Sequence, residues 1–361
     1  MKKLIPFTLL VLLFISCDKS SESTNPPTSS ALMYFPPTGN STEWESVTPG
    51  SLGWNETELN NLYTYLQQKN TKAFIILKNG RIVTEKYFGS FTANDNWYWA
   101  SAGKTLTAFL VGIAQKEGLL HINHRTNQYL GNGWTSLPLA KENLITVKHQ
   151  ITMTTGLDDG VPDVDCTTPS CLSYKTDAGA RWAYHNAPYT LLEKVVEAAT
   201  GTTYNNYFQQ KIRDRIGMNG LWIRNGYNNV YHSTPRSMAR FGLLLLNKGV
   251  WNGTTILNDN DYFNAQVTTS QSLNLSYGYL TWLNGKTSYM LPRSQSTFAG
   301  SMVPNAPADM YAALGKDDQK IYVVPSQNLV IIRMGEDAGN SLLAVSSFDN
   351  ELWGKLKLVI R

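Results

Sequence analysis

Trp97-Tyr98-Trp99-Ala100-Ser101-Ala102-Gly103-Lys104 runs directly into Thr105-Leu-Thr-Ala-Phe-Leu-Val-Gly-Ile-Ala114. The second stretch is apolar nearly all round, which marks a buried helix. The first places a serine and a lysine three apart at its mouth. Residues i and i+3 share a helical face, so hydroxyl and amine can meet. A serine hydroxyl is a poor nucleophile until a base takes its proton. A lysine is that base only when its amine is neutral, which needs a depressed pKa. Burial and the positive end of the helix dipole both act that way. Ser-x-x-Lys alone is a weak pattern. Ser16 to Lys19 repeats it, and composition gives roughly one match in a chain of this length. A helix N-cap with a surface lysine is the bland alternative. The aromatic residues before Ser101 and the apolar helix after it favour the catalytic reading.

The rest of the chain bounds what such a pair could serve. Its 361 residues suit one large domain or two intimately packed ones. Apolar residues make up 42 %, enough for a sizeable core, and charged residues only 16 %. The net charge of +4 comes without a basic run, which excludes a nucleic-acid footprint. Nineteen tyrosines and ten tryptophans suit pockets that take carbohydrate, peptide or aromatic ligands.

Lys2 and Lys3 precede an apolar run from Leu4 to Ile15, too short for an ordinary spanning helix. The run ends Leu13-Phe14-Ile15-Ser16-Cys17, followed by Asp18. Residues 1–17 therefore predict an export signal, with a plain secretory signal and a chance cysteine as the alternative. Residues 18–32 are rich in Ser, Thr, Asn and Pro and predict a flexible tether. The folded part is expected over 33–361. Cys166 and Cys171 have four residues between them in a polar stretch. In an exported protein they predict a local disulfide. No histidine stands at zinc-ligand spacing nearby. His121 and His124 read as surface residues in a polar loop.

Phe74–Leu77 and Arg81–Tyr87 flank Asn79-Gly80, a strong hairpin signal. Lys320–Val324 and Leu329–Ile332 flank Pro325-Ser-Gln-Asn328 and predict a second hairpin. Helices are expected over Thr105–Glu117, Pro188–Thr200 and Ser237–Asn247, with a closing helix over Glu351–Ile360. The fold class is therefore α+β. An antiparallel sheet comes from both chain ends (33–110 plus 275–361), flanked by helices, with a mostly helical insertion at 111–274. A cleft between such halves is a common place for a site.

With Ser101-Ala-Gly-Lys104 as first motif, the chain from about Tyr34 onward resembles the serine beta-lactamase and penicillin-binding superfamily. The likeness is to its class C–like branch, with esterases and nylon-oligomer hydrolases. The second motif, Tyr-x-Asn, falls on Tyr184-His185-Asn186. Tyr204, Tyr227 and Tyr262 also have Asn two residues on. Context selects Tyr184: Ala180-Arg-Trp-Ala-Tyr184-His-Asn186-Ala-Pro-Tyr-Thr-Leu-Leu192 is similar to the family's Gly-x-x-Trp-x-Tyr-Ser-Asn run. Ile145–Leu157 and Tyr277-Gly-Tyr-Leu-Thr-Trp282 are supporting landmarks. The third motif, Gly-x-x-Gly-Gln in this branch, falls on Gly315 to Gln319. Gly315 and Gln319 match, and Lys316 stands where a basic residue is frequent. Asp318 stands where glycine is expected and His185 where a small residue is. The segment ending at Cys17 resembles the lipobox of bacterial lipoproteins.

The resemblance implies a beta-lactamase/transpeptidase-like fold and acyl transfer. Ser101 is then the nucleophile, Lys104 its base and Tyr184 a proton relay, its pKa lowered by a cationic Lys104. Asn186 orients Lys104 or the substrate amide, and can also cap the helix ahead of Pro188. The oxyanion hole is expected from the backbone N–H of Ser101 and of Gln319. Asp318 is expected to crowd the strand edge or turn from it, and to repel a substrate carboxylate. That favours an esterase or amidase on small acyl compounds. A D-Ala-D-Ala carboxypeptidase or a class C–like beta-lactamase is the alternative, with Lys316 offering a cation. A non-catalytic glycan- or peptide-binding surface lipoprotein is a further reading, and the scattered histidines disfavour a zinc amidase. No metal or cofactor is called for. The implied partners are a small-molecule or peptide substrate and a membrane, reached through a lipid on Cys17. The implied location is the periplasm or cell surface. The stretch Asp158 to Ala178 is expected at the rim of the site.

Overall fold

Asn79 and Gly80 both take left-handed backbone, with φ of 49° and 79°. A two-residue turn that follows strand twist requires this of both residues. They join strands Thr71–Lys78 and Arg81–Tyr87. Strands Gln319–Val324 and Leu329–Gly335 form the second hairpin, through a 3-10 turn at Pro325–Gln327 and left-handed Asn328. The computed structural model describes residues 1, 32–39, 42–339 and 345–360. Cys17 and residues 18–31 of the expected tether lie outside the described residues. Met33–Arg361 makes one unit by its internal contacts.

The two hairpins meet in a six-stranded antiparallel sheet. Its order is Arg81–Tyr87, Thr71–Lys78, Leu329–Gly335, Gln319–Val324, Tyr311–Gly315 and Trp282–Leu283. The sheet thus comes from both chain ends, as the α+β reading requires. Residue alternation sends the two faces to different helices. Ile321 and Val330 face helix Pro235–Leu246, which packs across the three central strands. Lys320 and Tyr322 face helix Ser347–Val359 through Asp349. Ser346 and Asp349 form a capping box at the start of that helix.

Three differences from the expected layout have physical reasons. Helix Pro235–Leu246 lies in the stretch assigned to the helical part, yet it covers the sheet because nearly all its residues are apolar and buried. The 111–274 stretch also holds a hairpin, Leu221–Asn225 with Asn228–Ser233. Trp97–Tyr98 pairs with it to make a three-stranded sheet. Finally, the helix expected over Pro188–Thr200 is divided into Asn186–Thr190 and Leu192–Thr200, the latter ended by left-handed Gly201.

Helix Gly103–Lys116 is buried from Gly103 to Ala114. It runs through the molecule between the sheet and helix Leu192–Thr200, so its N-terminus is held rigidly from both sides. Among the described residues no helix is long and apolar enough to cross a membrane.

Candidate active site

Ser101 sits in a single 3-10 turn, Ala100–Ala102, that feeds helix Gly103–Lys116. In a 3-10 turn residues i and i+3 eclipse each other. The Lys104 Nζ accordingly lies 3.0 Å from the Ser101 Oγ. Ala100 is left-handed, with φ of 46°, a conformation that costs a residue with a Cβ on the order of 1–3 kcal/mol. Strand Tyr311–Gly315 abuts this strained turn. A Cβ on Gly315 would stand 2.5 Å from the Trp99 carbonyl oxygen and 3.0 Å from the Ala102 amide nitrogen. Glycine is therefore required at position 315 for the last strand residue to reach the turn that bears Ser101.

Lys104 is 4 % exposed. Its amine stands 4.2 Å from the centre of the Tyr189 ring and 5.2 Å from that of Tyr184. Burial drives its pKa down to about 7, against the opposing pull of the Asp165 carboxylate. Much of the amine is thus neutral near neutrality. Burial also holds the Tyr184 phenol well above its ordinary value, with Ser101 pulling it back in part. Tyr184 is therefore a protonated phenol beside an amine that titrates near neutral pH, so the lowered tyrosine pKa expected from a cationic Lys104 is not what burial produces. The Tyr184 hydroxyl is buried, and the Ser101 hydroxyl is the side-chain group that acts on it. Its ring is fixed by stacking on Trp282, at 5.7 Å.

If Lys104 is the base, kcat/KM for an activated ester rises with pH through about 7 as the amine loses its proton, and levels off above. Lys104→Met is expected to abolish that limb together with most of the activity. A limb near the ordinary lysine value of 10.5 would rule the buried amine out as the base.

Asn186 does not orient Lys104. Its Nδ2 donates to Asp165 Oδ1 at 2.8 Å. Nor is it the N-cap of its helix; that position is His185, whose side chain makes no capping bond. His185 is 2 % exposed, and burial lowers its pKa to about 4, so its ring is neutral. Neither ring nitrogen has a partner among the described residues.

The third motif divides into parts with different roles. Asp317 and Asp318 are both left-handed, with φ of 55° and 57°, a conformation aspartate tolerates better than most side chains. Arg333, fully buried, holds the turn by donating to the carbonyls of Asp317 at 2.9 Å and Asp318 at 3.0 Å. Asp318 neither crowds the strand edge nor faces substrate. It is 0 % exposed, paired with Lys320 at 3.1 Å and accepting from the Ser346 hydroxyl at 2.7 Å. Burial alone would raise its pKa, but Lys320, Ser346 and Arg333 together hold it below the usual value. Gln319 is also buried. Its side chain donates to the carbonyls of Asp317 and Gly335, and its backbone pairs with Gly315 across the hairpin. Of the motif, only Lys316 lines the cavity with Ser101.

That cavity holds about 290 Å³ and is lined by Ser101, Lys104, Tyr184, Asn186 and Lys316. Sequence reasoning missed several other lining residues: Asp159, Asp165, Tyr189, Asn228, Asn229 and Arg293. Asp159, Val164 and Asp165 belong to the 158–178 stretch, where Cys166 and Cys171 form a disulfide. Asp159 is ion-paired with Arg181 at 2.7 Å. The side chains of Arg293 and Lys316 make no ion pair or hydrogen bond among the described residues. His121 and His124 are exposed and lie outside the cavity.

The antiparallel sheet, with a serine and a lysine at the mouth of a buried helix, defines a beta-lactamase-like fold. The beta-lactamase family model matches residues 64–341, and the chain belongs to that family. Among solved structures it is similar to the "Putative 6-aminohexanoate-dimer hydrolase from Bacillus anthracis". The TM-score is 0.66 at 18 % identity, over 88 % of this chain and 86 % of that one. It is also similar to a penicillin-binding protein from Bacillus halodurans, with a TM-score of 0.59 at 16 % identity, over 82 % and 99 % of the two chains. A curated relative, "Putative penicillin-binding protein PbpX" of Bacillus subtilis (strain 168), is 26 % identical over 179 residues. That match spans 45 % of this chain and 42 % of the relative's length.

Proposed function

We propose that this chain hydrolyses an amide or ester through an acyl-enzyme on Ser101, with Lys104 as the general base. The observation that carries this reading is the buried Lys104 amine, its pKa near 7, 3.0 Å from the Ser101 hydroxyl. Such an amine takes the serine proton as the hydroxyl attacks the carbonyl carbon. The tetrahedral oxyanion then collapses, the acyl–leaving-group bond breaks, and the proton passes to the leaving group. Tyr184 serves that last transfer as a protonated phenol, giving its own proton and regaining one from Lys104. Water hydrolyses the acyl-enzyme by the same route.

The oxyanion donors on this reading are the backbone N–H of Ser101 and that of Lys316, not Gln319. Gln319 is buried in the hairpin, whereas Lys316 follows the glycine that abuts the nucleophile turn. One such donor is typically worth about 3 kcal/mol of barrier.

One observation favours a substrate with an anionic group. Asp318 was the argument against a carboxylate, and it is buried and neutralised by Lys320. Arg293 and Lys316 meanwhile bring two unpaired cations to the cavity. This supports a peptidase or beta-lactam-type substrate over a plain acyl ester. Export with a lipid on Cys17 remains part of the proposal; the Cys166–Cys171 disulfide suits an oxidising compartment.

The test is intact mass during turnover of p-nitrophenyl acetate, followed by peptide mapping. An acetyl adduct on the peptide bearing Ser101 is expected. No adduct, or an adduct elsewhere, would remove Ser101 from the role.

A further inference from the structure

Asp165 lines the cavity beside the nucleophile, but its only side-chain hydrogen bond among the described residues comes from Asn186 Nδ2. A carboxylate accepts and cannot donate, so the Asn186 amide must turn its nitrogen toward Asp165. That leaves Asn186 Oδ1 as a buried acceptor with no partner. An orphaned acceptor of this kind costs on the order of 1–3 kcal/mol. The second Asp165 oxygen, on a half-buried side chain, has no side-chain or backbone donor among the described residues. The site therefore holds two acceptors, one of them charged, that no donor among the described residues satisfies. Asp159 is not part of this set, because Arg181 already neutralises it. A guest with several donors and a positive charge fits that need.

We propose that Asp165 and Asn186 form a subsite for a protonated primary amine on the substrate, so that the amide or ester attacked by Ser101 carries an ammonium group. The proposal rests on the acyl-transfer reading for its chemistry, but the subsite itself does not depend on turnover. Arg293 and Lys316 reach the cavity from other segments, so an ammonium at Asp165 leaves them available to an anionic group elsewhere on the same substrate. An ammonium there also cancels the one carboxylate that favours protonated Lys104. Binding the right substrate thus favours the neutral base.

The experiment uses Ser101→Ala protein, which cannot turn over, and two probes that differ by an ammonium in place of a methyl. These are alanine p-nitroanilide, in both enantiomers, and isobutyryl p-nitroanilide. Calorimetric titration at neutral pH is expected to show at least one alanine compound binding tenfold or more tightly than the isobutyryl compound. Asp165→Asn in the same background is expected to erase that ratio. Asp165→Glu, which keeps the charge, is expected to retain part of it, and so separates lost charge from a disturbed loop. Equal binding of the probes, binding of neither, or a preference that survives Asp165→Asn would overturn the subsite. Failure of the acyl-transfer reading shows instead as a missing adduct on Ser101 in the wild-type chain.

Discussion

Alanine in place of Ser101 is expected to cut hydrolysis of an activated ester by about 10⁶-fold, the size of loss found when the nucleophile is removed from a serine hydrolase site. The acyl adduct seen by intact mass should vanish with it. The Ser101 hydroxyl meets only groups of the site, the Lys104 amine at 3.0 Å and the Tyr184 phenol, so its loss is expected to leave the fold in place. What survives is substrate binding and the oxyanion donors, which alone give a small residual rate over water. The stronger form of the prediction concerns the pair. Lys104 acts on substrate through the Ser101 proton, so Ser101→Ala with Lys104→Met should be little worse than Ser101→Ala alone. Residues that work as one unit are grossly non-additive in this way. A variant at 101 that keeps a tenth of the rate would show that another group attacks the carbonyl. Independent, additive losses would show that Lys104 supports the site by some route other than the serine.

What could be read in the chain was what depends on local chemistry. Asn79-Gly80 specifies its own turn, and Ser101 with Lys104 needs one turn of helix to become a pair. Asn225-Gly226 is a turn signal of the same kind. It marks the Leu221–Asn225 and Asn228–Ser233 hairpin, which the mostly helical reading of the insertion did not single out. The rest of the cavity was not legible because it is assembled from segments distant in sequence. Asp165 and Arg293 come from two loops and Asn229 from the start of strand Asn228–Ser233. Asp318, left between crowding the strand edge and turning from it, was expected to repel a carboxylate for a different reason. A sequence shows that a carboxylate stands where a glycine was expected, but not which way it turns. Two clues to the answer were present. Lys320 is two residues on, a cation at the start of the strand that leaves the turn. Ser346 and Asp349 have capping-box spacing, which brings a helix N-terminus to be filled.

That buried set gives the largest expected loss of stability. Lys320 is 0 % exposed and lies 3.1 Å from Asp318 and 3.0 Å from Asp349, both fully buried carboxylates. Replacing it with methionine keeps most of the volume but leaves two carboxylates without the cation between them. Breaking a buried pair from one side costs about 3–5 kcal/mol, because the orphaned charge stays desolvated. Asp349 keeps the Tyr322 hydroxyl at 2.6 Å and the Ser346 amide at 2.8 Å, and Asp318 keeps the Ser346 hydroxyl at 2.7 Å and the Ala338 amide at 3.1 Å, so the two carboxylates share the deficit. The pH dependence has a definite sign. In the native chain Asp318 has a pKa below its ordinary 3.8. It therefore contributes stability above the unfolded value and loses it as pH falls through the folded one. In Lys320→Met the folded carboxyl is pushed up instead. The gap between variant and native chain is then widest at neutral pH and closes toward acid. Denaturant midpoints at two pH values measure this directly. Adding Asp318→Asn to the methionine variant should recover part of the loss at neutral pH, since it removes the orphaned charge and keeps the Ser346 and Ala338 contacts within reach. A loss below 1 kcal/mol, or one that does not shrink on acidification, would mean that the network is not what holds the turn. The same turn carries Lys316 into the cavity. Lys320→Met should therefore also weaken activity at temperatures where the chain remains folded, although residue 320 itself does not line the cavity.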